Sequence, residues 1–104
     1  MNTIHLEFPA TRRLTKRAHV GVVGSGDLEI LLEPSEEPFV KLTVRTGTTG
    51  FDRTWQNVLE RFFEENDVAA NIKINDFGAT PGVVKLRLAQ ALEVSQNDVE
   101  QLEN

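Results

Sequence analysis

Ser25, in the stretch Gly24-Ser25-Gly26-Asp27, is the side chain best placed to take part in chemistry. A hydroxyl is a weak nucleophile near neutral pH and needs a base or a metal to activate it. No histidine, lysine or cysteine lies within the turn to do so. Glycine on each side removes side-chain bulk, so another molecule can approach Ser25 closely. These residue types point to a serine acted upon by another protein. The same composition also suits a plain turn, where serine and glycine are favoured residues.

Other chemistries find no constellation. A nucleophile elbow needs G-x-S-x-G on a strand-to-helix turn, but Val23 and Asp27 hold the outer positions and a strand follows. A dinucleotide fingerprint needs G-x-G-x-x-G opening a helix; Gly24 and Gly26 are present, yet Glu29 takes the third place. No glycine loop ends in G-K-[ST], so there is no P-loop. His5 and His19, 14 residues apart, read as surface strand residues and not as metal ligands or an acid–base pair. Glu36 with Glu37 and Glu64 with Glu65 read as solvated charge pairs. Neither catalytic nor metal-binding residues are therefore expected. The basic stretch Arg12, Arg13, Lys16, Arg17 reads as a solvated linker, or as a loop that pairs with ligand phosphates or an acidic partner face.

The elements around Ser25 follow from periodicity. Ile4, Leu6 and Phe8 alternate with His5 and Glu7, which predicts a half-buried strand ended by Pro9. Two apolar runs, Val20–Val23 and Leu28–Leu32, flank the serine turn and predict a β-hairpin with Ser25 near its tip. Leu28, Ile30 and Leu32 share one face. After a turn at Pro34–Pro38, Val40, Leu42 and Val44 alternate with polar residues in a fourth strand.

From Asp52 the period becomes helical. Trp55, Val58, Leu59, Phe62 and Phe63 form one apolar stripe, expected to serve the core and not to stack a ligand. Asn66 and Asp67 end that helix. Alternation returns from Ala70 to Phe77, with Ile72 and Ile74 inward. Thr80 as N-cap and Pro81 at the first helical position start a last helix, whose stripe is Val84, Leu88, Ala91 and Leu92. Residues 95–104 read as a polar tail that frays.

The predicted fold class is α+β. It is a single two-layer domain over residues 1–104, a mostly antiparallel sheet of about five strands with two helices on one face, in the order β-β-β-β-α-β-α. The strand order within the sheet is not legible.

Composition narrows the function classes. With 104 residues and 39% hydrophobic content the chain can build one core. Its 16 acidic residues against 11 Lys and Arg give a net charge of −5, which weighs against nucleic acid as a partner and suits docking on basic protein faces. No cysteine is present, so any reactive thiol must arrive on a cofactor. The N-terminal residues do not read as a secretory signal and no apolar run reaches membrane-spanning length, so a cytoplasmic location away from membranes is expected.

Two blocks carry a family resemblance. Gly21-Val22-Val23-Gly24-Ser25-Gly26-Asp27-Leu28-Glu29-Ile30-Leu31-Leu32-Glu33-Pro34 is the first. Asn75-Asp76-Phe77-Gly78-Ala79-Thr80-Pro81-Gly82-Val83-Val84, continuing to Glu93, is the second. With the Trp55–Phe63 helix between them, they resemble the acyl carrier (delta) subunit of malonate decarboxylase over about Ala18 to Glu93. The citrate lyase acyl carrier (gamma subunit) is a more distant likeness, through its Ser-Gly-Asp turn. Ordinary fatty-acid carriers differ: their serine opens a helix in an all-helical bundle, whereas Ser25 precedes a strand.

The resemblance implies a function. Ser25 would carry 2'-(5''-phosphoribosyl)-3'-dephospho-CoA through a phosphodiester, added by a dedicated transferase from a triphosphoribosyl precursor. That group ends in the thiol the chain lacks. Acetyl on it would be exchanged for malonyl, which is then decarboxylated to regenerate acetyl, with both reactions on other subunits. The chain would be a non-catalytic carrier. Its partners would be the acetyl-CoA/malonate transferase subunit, the decarboxylase pair, the prosthetic-group transferase and the malonyl-loading enzyme. Gly24, Gly26 and Asp27 would present the serine, Asp27 either by stabilising the turn or by being read by the transferase. The alternatives are the citrate lyase carrier and an unmodified interaction module.

Overall fold

The structure is a computed structural model that describes residues 2–14, 20–47 and 52–103, with side chains described for 2–14, 20–47 and 53–96. Alternating apolar residues build five strands: β1 (Asn2–Pro9), β2 (Gly21–Gly24), β3 (Leu28–Pro34), β4 (Phe39–Thr46) and β5 (Ala70–Asp76). Two helices complete the chain, α1 (Asp52–Glu65) and α2 (Pro81–Glu103). The element order is the one expected.

The strands form one sheet in the order β1-β4-β5-β3-β2. All neighbours are antiparallel except β4 and β5, which are parallel and joined through α1. The last strand in sequence is thus the central one, inserted between β3 and β4. In register, Ile74 stands opposite both Ile30 and Val44, and Ile72 opposite both Leu32 and Leu42. These residues are all buried. A one-residue slip would turn this entire set to solvent, so the alternation itself fixes the pairing.

Both helices lie on that apolar face. Trp55, Leu59, Phe62 and Phe63 are buried and Val58 is partly buried, as the stripe requires. Asn66 closes α1, its backbone N–H and its side-chain amide both donating to the Phe62 carbonyl at 2.9 and 3.0 Å. Thr80 caps α2, its Oγ1 accepting from Val83 N at 3.3 Å. The other face of the sheet is polar and exposes His5, Arg45, Lys73 and Glu29.

Two details depart from expectation. The fifth strand ends at Asp76, so Phe77 lies beyond it and is exposed. The helical backbone of α2 runs on past Ser95 to Glu103. Ser95 is fully buried, its hydroxyl satisfied by donating to the Leu92 carbonyl at 2.8 Å. It sits where α2 crosses β2. A Cβ built on Gly21 would land on the Ala91 carbonyl oxygen and lie 3.3 Å from Ser95 Cβ. Glycine and serine at this crossing therefore let helix and strand approach closely.

The described part of the basic stretch is tied to the base of the sheet, where β5 begins. Arg12 O accepts from Ala69 N at 2.7 Å, and Arg13 bridges Ala69. Asp67 accepts from Thr11 N at 2.8 Å and from the Thr11 hydroxyl. Lys16, Arg17 and His19 lie outside the described residues.

Three outcomes follow. Trp55→Ala or Phe62→Ala should each cost about 3–5 kcal/mol, measured by denaturant unfolding. Gly21→Ala should cost about 1–3 kcal/mol by overpacking. The Thr11 hydroxyl, then its backbone N–H, then Arg12, hold the Asp67 pKa below its ordinary 3.8. A lowered folded-state pKa gives stability that is present above 3.8 and lost as pH falls through the folded value. Asp67→Asn should therefore lower the melting temperature at neutral pH, and its difference from the parent should vanish in acid.

Candidate functional site

Ser25 opens the three-residue connection between β2 and β3. The ladder pairs Gly24 with Glu29 and continues to Ser25, whose N–H donates to the Leu28 carbonyl at 2.8 Å. Gly26 and Asp27 make the bend. The Ser25 hydroxyl donates to Asp27 Oδ1 at 2.6 Å, with the Leu28 carbonyl also in range at 3.0 Å. A hydroxyl has one proton, so the shorter contact to a carboxylate is the stronger acceptor. Ser25 remains half-exposed while its oxygen is held in a fixed direction.

Neither flanking glycine is required by the chain itself. A Cβ on Gly24 or Gly26 would meet nothing within 4 Å, and neither has a positive φ. Packing among the described residues does not account for them.

Asp27 acts in two ways. Its carboxylate orients Ser25, and its backbone carbonyl accepts from Phe77 N at 2.9 Å. That bond extends the β3–β5 ladder by one pair beyond Leu28 and Asp76. The two sequence blocks, some fifty residues apart, thereby meet at one end of the sheet.

The residue that sequence reasoning missed is Asp76. It is 6% exposed, and its carboxylate is fully engaged. Oδ1 accepts from Gly78 N at 3.0 Å and Ala79 N at 2.8 Å, and Oδ2 accepts from Thr46 Oγ1 at 2.8 Å. Gly78 adopts φ +122°, a conformation that disfavours any side chain. Asp76 thus turns the chain sharply from β5 toward the Thr80 cap of α2. The only signal in the sequence was Asp two and three residues before Gly-Ala, an Asx-turn pattern.

The remaining candidates lie elsewhere. Arg12 and Arg13 are at the start of β5, about 20 Å along the strand from Asp76 at 3.3 Å per residue, so they do not join Ser25. His5 is exposed on the polar face, 3.4 Å from Thr43 Oγ1. Among the described residues no group of three His, Cys, Asp or Glu could hold a metal. An apolar groove of about 250 Å³ opens beside the Asp76 loop, between Trp55, Val58, Ala79, Pro81 and Val84, and Ser25 does not line it.

Comparison with known proteins now bears on the site. The family model for the malonate decarboxylase delta subunit, an acyl carrier protein, matches residues 15–95. The chain belongs to the malonate decarboxylase acyl carrier family. The malonate decarboxylase acyl carrier protein of Pseudomonas fluorescens (strain SBW25) is 50% identical over 99 residues, covering 94% of this chain and all of that one. Its counterpart in Stutzerimonas stutzeri (strain A1501) is also 50% identical, with the same coverage. A chain in the crystal structure of a Pseudomonas malonate decarboxylase hetero-tetramer in complex with malonate superposes with a TM-score of 0.78. It is 43% identical, and the match covers 89% of this chain and 97% of that one. Of the two carrier classes the sequence resembles, malonate decarboxylase is the one to which this acyl carrier belongs. It is a carrier and not a catalytic subunit, as its relatives' names state.

The geometry makes Asp76 testable apart from Ser25. Asp76→Ala would leave three donors unpaired and should cost about 3 kcal/mol. Asp76→Asn, which keeps one acceptor oxygen, should cost less. Thermal unfolding of the two variants against the parent checks the order.

Proposed function

We propose that this acyl carrier holds its thiol arm, 2'-(5''-phosphoribosyl)-3'-dephospho-CoA, on Ser25. The observation that carries the reading is a half-exposed hydroxyl aimed by Asp27 between two glycines at which an added Cβ would meet no described atom within 4 Å. Membership of the carrier family implies a prosthetic group, and the chain has no cysteine to serve in its place.

In attachment, Ser25 Oγ forms a bond to the inner phosphorus of a triphosphoribosyl precursor. The bond from that phosphorus to the next phosphate breaks and pyrophosphate leaves. The serine proton passes to a base on the attaching enzyme. Asp27 positions the hydroxyl. Once bound, the group supplies a thiol that carries acetyl and malonyl as thioesters.

The carrier itself supplies a rigid mooring. Ser25 is fixed by the hairpin hydrogen bonds, while a long tether lets the thiol reach more than one active site at high effective concentration. Partners of this chain are the other subunits of a malonate decarboxylase, the acetyl-CoA/malonate transferase and the decarboxylase pair among them, together with the attaching and malonyl-loading enzymes. Such an assembly works in the cytoplasm. Among the described residues no helix is long and apolar enough to cross a membrane.

The test is an intact mass of the chain after incubation with the attaching enzyme and its precursor. One prosthetic group per chain is expected, and none on Ser25→Ala. An unmodified parent, with a transferase active on a known malonate carrier, overturns the reading. Full decarboxylase activity of a complex reconstituted with Ser25→Ala would favour an unmodified interaction module instead.

A further inference from the structure

Phe77 is 58% exposed, although a phenyl ring usually gains by burial. Its position is not loose. Its N–H donates to the Asp27 carbonyl at 2.9 Å, and the next two residues, Gly78 and Ala79, are fixed by donating to Asp76 Oδ1. The ring is therefore displayed from a backbone held on both sides. It is also linked to the serine: Phe77 N to Asp27 O, and Asp27 Oδ1 to Ser25 Oγ at 2.6 Å.

Any protein that forms a bond to Ser25 Oγ must approach this turn, to which the Phe77 backbone is hydrogen-bonded. A Cβ on Gly24 or Gly26 would meet no described atom within 4 Å. The acidic groups Asp27 and Glu29 lie in and next to the turn, in a chain of net charge −5. Rigid exposed aromatics anchor interfaces well, because they bring apolar area with little entropy to lose.

We infer that Phe77 is the docking anchor for the enzyme that attaches the prosthetic group to Ser25. That enzyme presents an apolar socket for the phenyl ring, rimmed by cationic side chains that face Asp27 and Glu29. The inference rests on the reading of Ser25 as the attachment site. Phe77 touches none of the reacting atoms, so its contribution lies in recognition.

Initial rates of attachment, followed by intact mass at several carrier concentrations, test this. Phe77→Ala should lower kcat/KM at least about tenfold, through KM with kcat little changed. Phe77→Leu should recover much of the loss. Val94→Ala, which trims an exposed side chain in the second half of α2, should behave as the parent. Melting temperatures of all variants should match the parent, because the ring is outside the core.

Binding is read separately with carriers that cannot react. Ser25→Ala should inhibit modification of the parent competitively, and Ser25→Ala/Phe77→Ala should inhibit at least about tenfold more weakly. A parent that gains no mass would sink the Ser25 reading. A parent that gains mass while Phe77→Ala keeps kcat/KM within about twofold would overturn the Phe77 inference alone. So would equal inhibition by the two unreactive carriers.

Discussion

The Asp76 carboxylate holds together the end of the sheet that carries the Ser25 turn. Burying a carboxylate is costly unless its oxygens are paired, and here each is. One oxygen gathers the N–H groups of Gly78 and Ala79, and the other takes the Thr46 hydroxyl from the neighbouring strand. The result ties the end of β4, the end of β5 and the entry to α2 into one unit. The serine turn leans on that unit through the pairing of Leu28 with Asp76 and of Asp27 with Phe77.

This arrangement separates rigidity from chemistry. The core face of the sheet carries the apolar residues and both helices, whereas Ser25 lies at the rim, reached without disturbing them. A carrier need not perturb a pKa or enclose a substrate. On the proposed reading it has to present one oxygen in a known direction; Asp27 Oδ1 holds the Ser25 hydroxyl, and a Cβ on Gly24 or Gly26 would meet no described atom within 4 Å. The resemblance through the two blocks and the Trp55–Phe63 helix agrees with the family match over residues 15–95. Those blocks are the segments that converge on the site.

Much of this was legible in the sequence. The alternation of Ile30 and Leu32, of Leu42 and Val44, and of Ile72 and Ile74 marked the strands, because side chains on a strand alternate between faces. The Trp55–Phe63 stripe marked a core helix, and Thr80-Pro81 marked the start of another. Where the reading failed, the cause was tertiary. Ser95 looked like part of a solvated tail because its type is polar, but its position against Gly21 buries it. Phe77 looked like the last residue of a strand because it continues an alternation. Asp76 ends that strand by drawing the following amides to itself.

The sequence by itself determined the strands, the helices, the exposed serine turn and the class of carrier, since these depend on local periodicity, turn chemistry and motif. The folded chain decided that the last strand is the central one, that Asp76 is the buried junction, and that the Phe77 backbone pairs with Asp27 of the serine turn while Arg12 and Arg13 stand far away. Those facts concern which distant segments become neighbours. Periodicity records which face of an element is apolar, but it does not record which other element covers that face.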